Sequence, residues 1–293
     1  MLKSLFRNLP IVRQVLDANR NLKRILNECA ATKRIQQELA IEHLKVNTRY
    51  DSPQCLVRHE AQFFSQNGED GIIAEIFQRI GTKDRSFVEI GLGNGLESNS
   101  AFLLQQGWKG WWFEANEKGC RDAREIFKGP LEKKLLSIIQ SFVTAEEIPE
   151  LFKTNAIPNE FDLLSIDIDR NTYFVWEALV TYRPRVAIIE YNGLVPPSID
   201  YKVPYVKGKA WQDDGQWGAG LKSYELLAKQ LGYRLVGCEL TGVNAFFVRE
   251  DLVQDHFLQP FTAEMHFEPL RLHLLRNPHY PRKFEWAPTT KTN

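Results

Sequence analysis

The stretch Phe87-Val88-Glu89-Ile90-Gly91-Leu92-Gly93-Asn94-Gly95 constrains this chain more than any other. A short apolar run enters it, three alternate glycines follow, and a helical pattern resumes beyond. Glycine takes positive φ at no steric cost and lets another backbone or a ligand approach closely. A helix opening after such a turn aims its unpaired N–H groups and positive dipole end at the same point. The pattern predicts a strand–turn–helix unit wrapped around a ligand, and so an α/β chain.

The residues on either side extend that unit. Apolar runs at 86–90, 110–113, 135–139, 161–168 and 185–190 alternate with helical patterns through Phe102–Leu104, Lys118–Phe127 and Trp176–Leu179. Such alternation implies right-handed crossovers and a doubly wound, mostly parallel sheet with helices on both faces. The end differs. After a helix over 223–231, runs at 233–239 and 245–249 are separated by a few residues including Gly242, which permits a hairpin and no helical crossover. The expectation is a seven-stranded sheet ending in an antiparallel hairpin, the arrangement of class I methyltransferases. A domain over 56–255 would hold it. Residues 1–55 form a helical extension, and 256–293, rich in Pro and aromatics, pack over the core.

In open α/β sheets ligands bind beyond the carboxyl ends of the strands. Glu89 at the first strand's end disfavours a pyrophosphate, because like charges would be held close together. It suits an ammonium group or hydroxyls. Glu114, ending the second strand, suits the two hydroxyls of a ribose. S-adenosylmethionine, with a ribose, a zwitterionic tail and no phosphate, satisfies both. The cofactor set predicted is Glu89, Gly91, Gly93, Asn94, Gly95, Glu114, Ser141 and Phe142, the last two after the third strand on the adenine. The fourth and fifth strands supply Asp167-Ile168-Asp169 and Glu190-Tyr191-Asn192. If both strands persist through these residues, alternation puts Asp167 with Asp169, and Glu190 with Asn192, on one side. Converging carboxylates need a cation, a donor or a proton. An oxygen-only set suits Mg²⁺ or Mn²⁺, with Asp167, Asp169, Glu190 and Asn192 as ligands and Asp167 and Asp169 as the catalytic pair. His266 and His273 are alternative bases.

Ser65-Gln66-Asn67-Gly68-Glu69-Asp70, the turn from Glu89 to Gly95, Asp167-Ile168-Asp169 and Ile189-Glu190-Tyr191-Asn192 together resemble the FkbM-like family of S-adenosylmethionine-dependent methyltransferases, over about residues 60–250. The resemblance implies O-methyl transfer to sugars, polyketides or other hydroxylated metabolites, often in surface-glycan pathways. It implies cofactor contact from Glu89, Gly91, Gly93 and Glu114, with Asp167 at the reactive edge. The chain departs from the pattern at Arg170, where a glycine is expected. A non-catalytic cofactor- or nucleotide-binding module and an NAD-linked oxidoreductase are the competing classes. The hairpin and Glu89 count against the latter.

The long segment from Val195 to Leu221 carries Trp211, Asp213, Asp214 and Trp217. Aromatics beside carboxylates suit a sugar acceptor, and long loops in compact domains are usually functional. The chain's 37 Lys and Arg balance 37 Asp and Glu, so nothing overall points to nucleic acid. Residues 1–50 hold an excess of about six positive charges. Their apolar residues, Leu9, Val12, Leu16, Leu22, Ile25, Leu26, Ile35 and Leu39, recur at helical spacing. Pro10 suggests two helices. A homo-oligomer interface is the favoured role, and peripheral membrane contact the alternative. Four scattered cysteines without metal spacing fit reduced thiols and a cytoplasmic location, membrane-associated in the alternative reading.

Overall fold

A computed structural model of the chain describes residues 10–212 and 215–274. It divides into two compact units, Met1–Val46 and Asn47–Asn293. Among the described residues the first contains one helix, α1 (Pro10–Lys45), of 36 residues. Pro10 opens this helix, and the second helix expected ahead of it lies outside the described residues. Proline is the first helical residue, where its missing N–H would have had no intrahelical partner. Leu9 lies outside the described residues.

The second unit is built on seven strands, β1 (Ser86–Ile90), β2 (Lys109–Glu114), β3 (Leu136–Gln140), β4 (Leu163–Ile166), β5 (Val186–Glu190), β6 (Tyr233–Cys238) and β7 (Asn244–Arg249). Their order is β3-β2-β1-β4-β5-β7-β6. The first five are parallel, and β7 inserts antiparallel between β5 and β6. This is the expected seven-stranded class I methyltransferase arrangement. The helices α2 (Glu69–Ile80), α3 (Ala101–Gln105), α4 (Glu117–Ile126), α5 (Lys128–Glu132), α6 (Ile148–Thr154), α7 (Thr172–Ala178), α8 (Leu221–Leu231), α9 (Glu250–Val253) and α10 (Ala263–His266) precede, join or follow the strands.

Burial on both faces explains why the central strands β1, β4 and β5 are mostly apolar and do not alternate with polar residues. Within β5, Val186 and Ile188 join one hydrophobic cluster while Ala187 and Ile189 join the other. β1 divides the same way, Phe87 to one side and Val88 and Ile90 to the other. Successive side chains point to opposite faces, so the sheet separates two cores.

Buried carboxylates pin the backbone where the sheet begins and ends. Asp162 accepts N–H bonds from Lys83, Asp84 and Arg85 at 2.7, 3.0 and 2.7 Å, fixing the entry to β1. Glu239 accepts from the N–H groups of Thr241, Val243 and Asn244 and closes the β6–β7 turn. The segment after α9 returns over this turn. Tyr191 Oη donates to the Glu268 carbonyl at 2.5 Å, and Arg271 N donates to Thr241 O at 2.8 Å. Residues 275–293 of the expected tail lie outside the described residues.

Candidate functional site

A cavity of about 450 Å³ opens beyond the carboxyl ends of β1, β2 and β4. That is within the usual range of roughly 300–1,000 Å³ for small-molecule pockets. One wall is the glycine turn. Gly91, at φ 81°, runs so close to β4 that a Cβ would lie 1.7 Å from the Asp167 carbonyl oxygen. Gly95, also at φ 81°, backs onto Trp112 and is absent from the cavity wall. Asn94 is absent from it too, and its Oδ1 accepts from Leu96 N within the turn. Of the predicted cofactor residues, Glu89, Gly91, Gly93, Glu114, Ser141 and Phe142 line the cavity. Asn94 and Gly95 shape the turn from outside.

Both carboxylates on this wall are largely committed to the backbone. Glu114 accepts from the N–H groups of Leu92 and Gly93 at 3.0 and 2.7 Å, and from Asn116 N at 2.7 Å. Glu89 accepts from Asn99 N at 2.8 Å and Ser100 N at 3.0 Å, and from the Ser100 hydroxyl. Glu114 therefore clamps the glycine turn, and Glu89 clamps the lead-in to α3. An ionised carboxylate offers about four lone-pair positions, so each keeps roughly one for a ligand. Burial pushes the Glu89 carboxyl up to about 7 in spite of its donors. Phe142 stands in the third-strand exit with 46% of its surface exposed, a free ring face on the cavity.

The other end is different. Carboxylate oxygens of Asp167, Asp169 and Glu190 lie within 4.8 Å of one another. The convergence is as expected, but its geometry is not. β4 ends at Ile166, so strand alternation does not reach Asp169. Asp169 instead takes a left-handed conformation, φ 58°, at the start of a 3-10 turn over Asp169–Asn171. Arg170 is buried and donates to Gln216 Oε1 at 3.0 Å, tying down the long loop. Asn192 is not part of the cavity wall. β5 ends at Glu190, and Asn192 turns away, accepting from Leu194 N at 3.1 Å and donating to Gly215 O at 3.1 Å.

At this end the protein offsets the crowded charge only in part, through a side-chain hydrogen bond between Asp167 and Glu190. Burial raises Asp167 to about 6, with the charges of Asp169 and Glu69 adding to the shift. Burial and the charge of Asp167 raise Glu190 well above the ordinary range, while the Asp169 N–H partly offsets it. Glu190 Oε2 is buried and has no hydrogen-bond partner, as is Asn171 Oδ1 on the cavity wall. Three carboxylates with an unpaired oxygen fit a hard divalent cation such as Mg²⁺ or Mn²⁺. Asp167, Asp169 and Glu190 are the residues that would hold it.

Several residues escaped sequence reasoning. Gln66 and Asn244 both line the cavity. Asn244 Nδ2 donates to Glu69 Oε1 at 2.9 Å, and Asn67 N donates to Glu69 Oε2 at 2.8 Å, so Glu69 ties the hairpin to the 65–70 turn. Asp70 accepts from the N–H groups of Phe63, Phe64 and Ser65 at 2.7, 2.7 and 2.9 Å. The Ser65–Asp70 motif thus folds a turn that brings Gln66 to the cavity wall, and the motif itself was the available signal. From the long loop, Lys209 and Ala210 reach the cavity, whereas Trp211 and Trp217 do not. The loop is hung from Asn171, whose Nδ2 donates to the carbonyls of Val206 and Lys209, and that register turns residues 209 and 210 inward. Asp213 and Asp214 lie outside the described residues. His266 is buried away from the cavity, with its ring pushed down to about 4 by burial, and His273 is exposed. Neither borders the site as a base.

No protein-family model matches the chain, and no curated protein matches it. Solved structures with some likeness include an O-methyltransferase from Bacillus cereus in complex with S-adenosylhomocysteine. It shares 16% identity at a TM-score of 0.42, over 74% of this chain and 89% of that one. Magnesium protoporphyrin IX methyltransferase from Synechocystis shares 14% at 0.41, over 62% and 81% respectively. A methyltransferase from Aquifex aeolicus shares 15% at 0.36, over 60% and 87%. Among the described residues no helix is long and apolar enough to cross a membrane.

Proposed function

We propose that the chain is an S-adenosylmethionine-dependent O-methyltransferase of the FkbM-like kind, acting on a hydroxyl of a sugar, glycan or related metabolite with the help of a divalent cation. The observation that carries this reading is one cavity joining an acid-walled glycine turn to a half-buried carboxylate cluster with an unpaired buried oxygen. A pyrophosphate has no counter-charge at the turn, where Glu89, Glu97 and Glu114 line the wall. A ribose finds the remaining lone pairs of Glu114, and an adenine finds the open face of Phe142. The bound cofactor supplies an electrophilic methyl group on a sulfonium.

Everything else falls to the chain. Methyl transfer needs the acceptor oxygen in line with the methyl, so positioning supplies much of the acceleration. Gln66, Asn171 and Asn244 present amides at the acceptor end, suited to fixing hydroxyls. Asp167, raised to about 6, is ionised at neutral pH yet basic enough to take a proton from the acceptor hydroxyl. Asp169 and Glu190 hold the charge around it. A cation among these three would lower the pKa of that hydroxyl.

The test has two arms. Calorimetry with S-adenosylhomocysteine and NAD is expected to show binding of the first alone. Methyl transfer to sugar acceptors is expected to be lost in Asp167→Ala and in the wild type with EDTA. Cofactor binding with no transfer to any acceptor would instead favour a non-catalytic binding module. Indifference to EDTA would remove the metal.

A further inference from the structure

α1 carries a seam that no other described residue of its own unit covers. At 36 residues it runs about 54 Å, and an isolated helix draws most of its stability from packing one face. Many of its apolar residues follow a heptad, while the exposed Leu16, Leu26 and Ile35 flank it. Val15, Leu22 and Cys29 fall at the first position, and Ile11, Ala18, Ile25 and Leu39 at the fourth, with Thr32 and Gln36 completing the row. All nine are exposed, Ile11 at 70%, Val15 at 63%, Leu22 at 55%, Ile25 at 50% and Leu39 at 65%. The charges lie elsewhere on the helix, paired along it as Asp17–Arg20 at 3.2 Å and Arg34–Glu38 at 3.1 Å. A repeat of seven sustained over four turns of the pattern is the signature of a helix wound around another.

We propose that α1 is the dimerisation element of this protein, pairing in parallel and in register with α1 of a second copy. Charge complementarity and layer matching choose the occupant and the orientation. In a parallel pair the residue before one first-position layer faces the fifth position of the next heptad on the partner. That places Glu28 opposite Lys33 twice, once on each side of the seam. In-register pairing also sets Gln36 against Gln36 and Thr32 against Thr32, so polar groups meet polar groups, and polar layers fix register in such helices. Antiparallel pairing through the centre of the seam would bury Gln36 against Ile11 and Thr32 against Val15. It would also forgo both Glu28–Lys33 contacts, leaving Glu28 only its Arg24 partner on the same helix at 3.6 Å.

Cys29 makes the geometry testable, because parallel pairing puts the two thiols in one layer. The full chain is expected to sediment at twice its 33.9 kDa mass. Mild oxidation should cross-link it through Cys29. In a Cys29→Ser background, Thr32→Cys should restore the cross-link and Asn27→Cys, on the outer face, should not. Ile25→Asp should weaken dimerisation at least about a hundredfold, with the melting of the sheet unit showing that the variant is folded. Arg20→Asp should leave the dimer intact. A monomeric wild type at micromolar concentration, or cross-linking as efficient from Asn27→Cys, would overturn the proposal. So would a monomer that floats with anionic liposomes and loses that property in Ile25→Asp.

Discussion

The two ends of the cavity are both lined by buried or half-buried acids, yet they have solved the problem of burying charge in opposite ways. At the glycine turn, Glu89 and Glu114 each accept three hydrogen bonds, five of the six from backbone N–H groups. Those carboxylates hold the loop in shape and leave about one lone pair each for a ligand. At the β4 and β5 ends, Asp167, Asp169 and Glu190 crowd together with few donors and an unpaired oxygen. Buried polar groups left unpaired are costly, so that end remains incomplete until a cation, a proton or a substrate hydroxyl arrives. One end is a frame and the other a reactive site.

The comparison breaks most visibly in Asp167→Asn. Its methyl-transfer rate should fall by about 10²–10⁴-fold, the usual contribution of a positioned acid or base, while affinity for S-adenosylhomocysteine changes little. Wild-type turnover in this variant would return Asp167 to the frame. Next in size is Gly91→Ala. Its added methyl meets the Asp167 carbonyl at 1.7 Å in a left-handed conformation, so denaturation should show a loss of roughly 3 kcal/mol or more. An unchanged midpoint would mean that β1 and β4 are free to part there.

How far these roles are legible in the residues follows from the same physics. Strands show plainly because both faces are buried, as in Val186–Glu190, and the hairpin shows because β6 and β7 leave no room for a crossover. The three acids are visible as residue types. Their geometry is not, because the end of β4 at Ile166 and the positive φ of Asp169 depend on neighbours distant in sequence. Glu114 illustrates a second limit. An acid after a strand looks like a ribose ligand, and only the fold reveals that it first serves Leu92 and Gly93. Trp211 and Trp217 suit a sugar by composition, but the anchoring of the loop on Asn171 sends Lys209 and Ala210 inward instead.

Metal binding sharpens the contrast at the reactive end. Mg²⁺ or Mn²⁺ at about a hundred times its dissociation constant should add about 2.7 kcal/mol of stability, read as a rise in melting temperature. Glu190→Gln should abolish that rise, and Glu114→Gln should leave it in place. No response in the wild type would mean that protons alone neutralise the cluster. A smaller effect probes the frame. The Glu89 carboxyl titrates at about 7 in the folded chain, above its ordinary 4.5. The folded state therefore holds the extra proton, so this group's contribution is full below pH 4.5 and is lost as pH rises through about 7. The slope is at most about 1.4 kcal/mol per pH unit. Glu89→Gln should flatten stability against pH over that window, and an unaltered slope would assign it to other buried acids.

The smallest effect is expected at Gly93, and it tests whether the frame faces a ligand at all. Gly93 is left-handed like Gly91, at φ 59°, but a Cβ there meets no protein atom within 4 Å. Gly93→Ala should therefore cost only the conformational penalty of a left-handed alanine, about 1–2 kcal/mol. The new methyl would protrude from a residue on the cavity wall, where only solvent or a ligand can stand. If a cofactor rests on the turn, its affinity should drop by more than the modest loss of stability suggests, visible in calorimetry with S-adenosylhomocysteine. If affinity is untouched while Gly91→Ala unfolds the chain, the alternate glycines serve the junction of β1 with β4, and the ligand lies nearer the acids than the turn.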